Sequence, residues 1–200
     1  MTARDRMLAT VRRALGRTEG QPVPPPPPVF LVRTDHQDAV HSFATRLELL
    51  NGKVHQAATD AEVTAVVRQI AGGRTIYLGN VNLPGSEDLN ITADIATADV
   101  GVSMADYALA ETGTLVTFAS SEKRRASLLP PLHIAVLTTD RILSNLDELL
   151  ALEILPAEKT ASMVLITGPS RTADIEQILV RGVHGPGELH VVLTKVSICV

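Results

Sequence analysis

Residues Pro24 to Pro28 are five consecutive prolines, preceded by Gln21-Pro22-Val23. None of them can donate a backbone hydrogen bond, and each holds φ at about −65°, so the run is barred from helix and sheet interiors. It must be extended polyproline II, and it cuts the chain in two. Before it, residues 2–17 place Leu8, Val11 and Leu15 at three- and four-residue spacing, with Arg4, Arg12, Arg13 and Arg17 elsewhere around the helix. The pattern predicts an amphipathic helical arm over 1–20, a proline-rich spacer over 21–28 and a single body over 29–200. The prolines also suit recognition by an SH3-type module, but a semi-rigid spacer accounts for them more simply.

The body alternates two periods. Residues 36–50 set Val40, Phe43, Leu47 and Leu50 on one helical face and stop at Asn51-Gly52. Thr59 to Glu62 has the form of a capping box, followed by Val63, Val66, Val67 and Ile70 and a Gly72-Gly73 stop. A capped helix is expected over 144–152 and another over 172–180. Strands are expected over 52–57, 74–78, 99–103, 107–110, 114–119, 133–137, 162–167 and 189–194. Several are continuously apolar, as in Met163-Val164-Leu165-Ile166 and Val191-Val192-Leu193, which fits a sheet covered on both faces. The expected fold is therefore α/β, three layers, with a mostly parallel sheet flanked by helices. Ligands in such sheets bind beyond the carboxyl ends of strands, where Gly79-Asn80 and Gly168-Pro169 are expected to lie.

Bulk properties remove several function classes. Eighteen basic against 22 acidic residues, two Tyr, three Phe and no Trp leave neither a basic face nor stacking aromatics for nucleic acid. Apolar stretches are far shorter than a bilayer span, and the N-terminus lacks a signal-peptide core, so a cytoplasmic protein is expected. One cysteine, Cys199, cannot form an internal disulfide, a cysteine-rich zinc site or an iron–sulfur cage. No metal constellation is expected: His36 and His41 are five apart rather than four. A Walker loop, a GxGxxG fingerprint and a GxSxG elbow are all absent.

Three segments carry candidate chemistry. Gly168-Pro169-Ser170-Arg171-Thr172 ends an apolar run and opens the helical pattern at 172–180. Free backbone N–H groups at such a helix start, with the Arg171 guanidinium beside them, would hold a phosphate or carboxylate; the plainer alternative is a capped helix with a surface arginine. In Glu111-Thr112-Gly113-Thr114 a partly buried Glu111 would have a raised pKa and serve as acid, base or nucleophile, or else only fix the turn. In Gly182 to His190, Gly185 permits close backbone approach and His184 could bind an anion or shuttle a proton. His133, at the start of a strand, reads as a core histidine or one that supports a ligand-binding neighbour rather than as a ligand itself, and Lys123-Arg124-Arg125 as a solvated loop or an anion clamp.

Taken in order, four pieces resemble the lactate utilization protein C family (LutC/YkgG, the LUD domain): Ala105 to Val116, Ser127 to Val136, Gly168 to Glu176, and Gly182 to Pro186 with Leu189 to Leu193. The resemblance covers residues from about 99 to 194. It implies a fold similar to the NagB/RpiA/CoA-transferase group. It also implies a part in oxidising L-lactate to pyruvate, beside a cysteine-rich subunit and an iron–sulfur subunit. Clusters would then reside in partner proteins, with no cofactor on this chain. Met104 departs from the family, which there reads closer to Gly-Val-Thr-Gly-Ala-Asp.

The resulting expectation is a non-redox component of a lactate-oxidising complex rather than a complete oxidoreductase. Glu111 and His184 would be its catalytic groups. Thr112, Gly113, Thr114, Gly168, Ser170, Arg171, Thr172 and Gly185 would form a pocket for a small carboxylate or phosphate. The alternatives are a self-standing enzyme using Glu111 on a phosphorylated, CoA-linked or folate-type substrate, and a domain that senses a small acid.

Overall fold

The computed structural model describes residues 2–17, 36–118, 121–152, 162–173, 179–181 and 184–195. The proline spacer expected at 21–28 lies outside them. The chain divides into two compact units, residues 1–30 and 31–200. In the first, helix α1 (Ala3–Ala14) starts at Thr2, whose Oγ1 accepts from Asp5 N while Asp5 Oδ2 accepts from Thr2 N. This reciprocal cap satisfies two N–H groups that a helix start leaves unpaired. None of its residues is buried.

The second unit begins with α2 (His36–Leu49), β1 (Lys53–Ala57), α3 (Asp60–Ala71) and β2 (Ile76–Gly79). There follow β3 (Val100–Met104), β4 (Tyr107–Leu109), β5 (Thr114–Phe118), α4 (Ser121–Leu128), β6 (Leu132–Thr138) and β7 (Ile142–Leu143). It continues with α5 (Leu146–Ala151), β8 (Met163–Ile166), β9 (Arg171–Ala173), β10 (Leu179–Arg181) and β11 (Glu188–Thr194). Five strands form a wholly parallel sheet in the order β1-β11-β6-β3-β2. On one face, Val100, Val102, Ile134, Val136 and Val192 pack with Val63 and Val67 of α3. On the other, Ala135, Leu137, Val191 and Leu193 meet Phe43 and Leu47 of α2 and Ala108 and Leu115 from β4 and β5. Covering on both faces explains the unbroken apolar runs in these strands. Phe43 and Leu47 are fully buried, each worth about 2–3 kcal/mol of transfer free energy.

A second sheet, ordered β7-β4-β5-β8, lies on the α2 side and is antiparallel except for the β4–β7 pair. Strand 163–166 is thus present, but it pairs with β5 outside the parallel sheet. The helix expected over 172–180 is replaced, at both of its ends, by β9 and β10, paired antiparallel with Arg171 opposite Arg181. A nine-residue helical pattern contributes little helix stability of its own, and the ladder overrides it. Lys123-Arg124-Arg125 lies in α4, not in a loop. In the capping segment, Thr59 Oγ1 accepts from Glu62 N as expected, but Glu62 Oε2 turns to Ala58 N, one residue before the cap. Helix α5 is capped by Asn145, whose side chain accepts from Glu148 N.

Candidate functional site

The loop after β8 and the loop before β11 lie side by side. Ser170 N donates to Pro186 O at 2.8 Å, and Gly187 N donates to Pro131 O at 2.9 Å, just before β6. Between them is a cavity of about 220 Å³ whose wall includes Gly168, Ser170, His184 and Gly185, residues from two segments separated in the sequence. Ser127 of α4 and His133 of β6 complete its polar lining with Thr167. Among the described residues no lysine or arginine lines it. The site is at the amino ends of β6 and β11, because β8, which delivers Gly168, is not a strand of the parallel sheet. Beyond the carboxyl ends of β1 and β11 there is a different cavity, of about 660 Å³, bordered by His41, Ala57, Glu62 and Thr194; it contains none of the residues expected from sequence.

Glu111 stands apart from this group. It is exposed, on the turn between β4 and β5, so the partly buried carboxylate expected at this position is not found. Its N–H donates to Ser144 O, and it borders a surface cavity of about 600 Å³ with Ser42, Arg46 and Asn145. Gly113 has φ +65°, and a Cβ there would sit 2.6 Å from Leu47 N. The glycine is therefore required where the turn lies against the last turn of α2. The two loci are joined by a row of hydroxyls: Thr112 Oγ1 is 2.7 Å from Thr114 Oγ1, which is 2.8 Å from Thr167 Oγ1.

Arg171 is engaged elsewhere. Its Nη2 donates to Leu50 O at 2.6 Å, beside Gly168, whose own Cβ position would be 3.1 Å from Leu50 Cβ. An arginine on a carbonyl that follows the last turn of α2 satisfies an acceptor left open at a helix end. With β9 in place of a helix, the backbone N–H cradle expected at 168–172 has no helix start to provide it. The side chain of Thr172 lies outside the described structure.

One feature escaped sequence reasoning. Lys123 is not a solvated cation: its Nζ lies 2.7 Å from Asp106 Oδ1 in a largely buried pair, while Asp106 Oδ2 accepts from Phe118 N. His133 is the core histidine expected from its place in the strand: it is 1% exposed, with Nε2 2.9 Å from Ser103 Oγ and Nδ1 unpartnered. Burial pushes its pKa down to about 4, so the ring is neutral near pH 7. A histidine within an otherwise apolar strand was the visible signal, since burying its two nitrogens calls for two partners. On the opposite face, His55 Nε2 and His190 Nδ1 are 3.0 Å apart. Burial first, then Lys53 and His55, lower His190 to about 4, while Glu188, 3.6 Å away, acts on it in the opposite sense.

Fold and site together define an α/β protein with a small cavity, lined by both polar and apolar residues, beside a parallel sheet. The family model described as LUD domain matches residues 82–194, more than half of the chain, and the chain belongs to that family. Lactate utilization protein C of Deinococcus radiodurans is 28% identical over 201 residues, covering 94% of this chain and 93% of the relative. Lactate utilization protein C of Halalkalibacterium halodurans is 42% identical over 94 residues, 44% of this chain. That match spans 41% of the Halalkalibacterium protein, about two fifths of its length. A crystal structure of a DUF162 family protein from Deinococcus radiodurans superimposes with a TM-score of 0.63 at 18% identity, covering 80% of this chain and 99% of that one; the likeness establishes the fold. Among the described residues no helix is long and apolar enough to cross a membrane.

Proposed function

We propose that this chain serves L-lactate utilization in the cytoplasm as a subunit without a redox centre of its own, holding a small carboxylate beside iron–sulfur partner proteins. Similarity to proteins named lactate utilization protein C supports the physiological role. The observation that carries the binding role is the meeting of Gly168, Ser170, His184 and Gly185 around one cavity. Hydroxyls and neutral polar groups there suit a monoanionic acid. A phosphorylated or CoA-linked ligand would need cations that the described lining lacks. His184, exposed at the rim, is the group that would move a proton to or from the bound acid. Arg171 braces the end of α2, and Glu111 sits on a separate surface.

Two measurements test this. A native pull-down from cells grown on L-lactate should bring down a cysteine-rich protein and an iron–sulfur protein, with iron in the eluate. Calorimetry on the purified chain should show saturable binding of L-lactate or pyruvate. A chain that elutes alone and iron-free, and binds neither acid, refutes the proposal.

A further inference from the structure

Deepening the carboxylate reading above, on which it rests, we infer that His133 is the residue that fixes the bound acid, donating from Nδ1–H to a carboxylate oxygen while Ser103 holds the other side of the ring.

The argument starts from strand geometry. Gly101 and Leu189 flank His133 in register on β3 and β11, so its backbone lies inside the parallel ladder. Side chains alternate along β6: Ile134 and Val136 enter one core, Ala135 and Leu137 the other. His133 therefore shares the face of Ala135, and so does Ser103, which pairs with Ala135. That places Ser103 Oγ against Nε2. Helix α4 can approach this end of the sheet because Gly101 has no Cβ: one there would overlap Ala126 O. The approach brings Ser127 and Leu128 into the wall of the cavity that His133 lines.

The proton count then selects the tautomer. A neutral imidazole has one N–H and one acceptor nitrogen. The Ser103 hydroxyl, 1% exposed, has His133 Nε2 as its hydrogen-bond partner and no other among the described residues. If Nε2 carried the hydrogen, the hydroxyl hydrogen of Ser103 would lack an acceptor. The arrangement that satisfies both has Ser103 donating to Nε2, which puts the ring hydrogen on Nδ1. That N–H is then a buried donor without an acceptor, a costly condition that an arriving oxygen relieves. The ring lines the cavity together with Leu128 and Leu189, so an acid bound there lies against the imidazole that carries the unpartnered Nδ1. An uncharged donor, with nearby hydroxyls and no lysine or arginine among the described lining residues, selects a compact monoanionic acid and rejects a phosphate dianion. The low pKa of the ring keeps this donor uncharged at neutral pH.

The test is nitrogen NMR of the full chain with labelled histidine side chains, titrated with sodium pyruvate, sodium L-lactate and inorganic phosphate. His133 is expected in the Nδ1–H form, with that N–H resonance shifting on addition of pyruvate or lactate and not with phosphate. His133→Gln, which keeps a polar atom near Nε2 for Ser103, should weaken binding about tenfold. Saturable binding with unmoved His133 resonances, or the Nε2–H form, overturns the role of His133 and leaves the carboxylate reading standing. Preference for phosphate overturns the ligand class. A chain that binds none of the three probes overturns both.

Discussion

Lowering the pH from neutrality to about 5 should destabilise this protein through His133 before its carboxylates begin to titrate. The folded chain keeps the ring neutral down to about pH 4, whereas the unfolded chain takes up a proton near 6.5. Between those values the unfolded state binds more protons, so stability present above pH 6.5 is lost as the pH falls. The linkage relation gives a loss of about 2 kcal/mol at about pH 5, approaching about 3 kcal/mol once the pH reaches the folded value. Full burial of the ring means that solvent screening does not reduce this figure appreciably. His190 and His55 are also held below the ordinary histidine value, so the wild-type loss is the larger sum. Urea unfolding near neutrality and at about pH 5, on wild type and His133→Gln, separates the contributions. The variant should lose about 2 kcal/mol less than wild type over that interval, at unchanged m-value. Parallel losses in the two proteins would refute the reasoning, because His133 would then be reaching a proton partner or water in the folded state.

Two further outcomes follow from the packing around α2. Gly113→Ala combines a left-handed backbone with overlap on Leu47 N, and urea melts should show a loss of about 3 kcal/mol. Retention of stability with loss of carboxylate binding would instead make the glycine a ligand-approach position. Arg171→Ala removes the donor to Leu50 O and should cost about 1 kcal/mol, lowering the melting temperature by roughly 2–4 °C. Calorimetry should find pyruvate affinity unchanged within about twofold, whereas a larger loss would return Arg171 to the ligand.

The candidate site was half legible in the chain. Gly168, Ser170, His184 and Gly185 stand out as loop glycines and polar residues next to apolar runs, and they do border one cavity. Glu111 and Arg171 drew notice by the same local criteria. Yet one faces a different cavity and the other spends its guanidinium on a carbonyl 121 positions away. His133 was legible as a core histidine, but not its partner Ser103, which is 30 residues off, on a neighbouring strand.

What the sequence by itself determined is local. Thr59 and Gly72 bound α3 because cap hydrogen bonds and a left-handed residue act within a turn of where they occur. The continuous apolar run at 191–193 marked β11 as buried on both sides, whereas the equally apolar run at 163–166 is only partly buried. Tertiary structure alone decided which strands pair. The run at 163–166 suits either sheet, and only the ladder offered by β5 draws it out of the parallel one. The described ends of the helical pattern after Gly168 likewise yield to a β9–β10 ladder. Pairing energy depends on partners distant in the chain, whereas propensity is a sum over neighbours. A site assembled from loops between paired strands therefore inherits its geometry from the pairing.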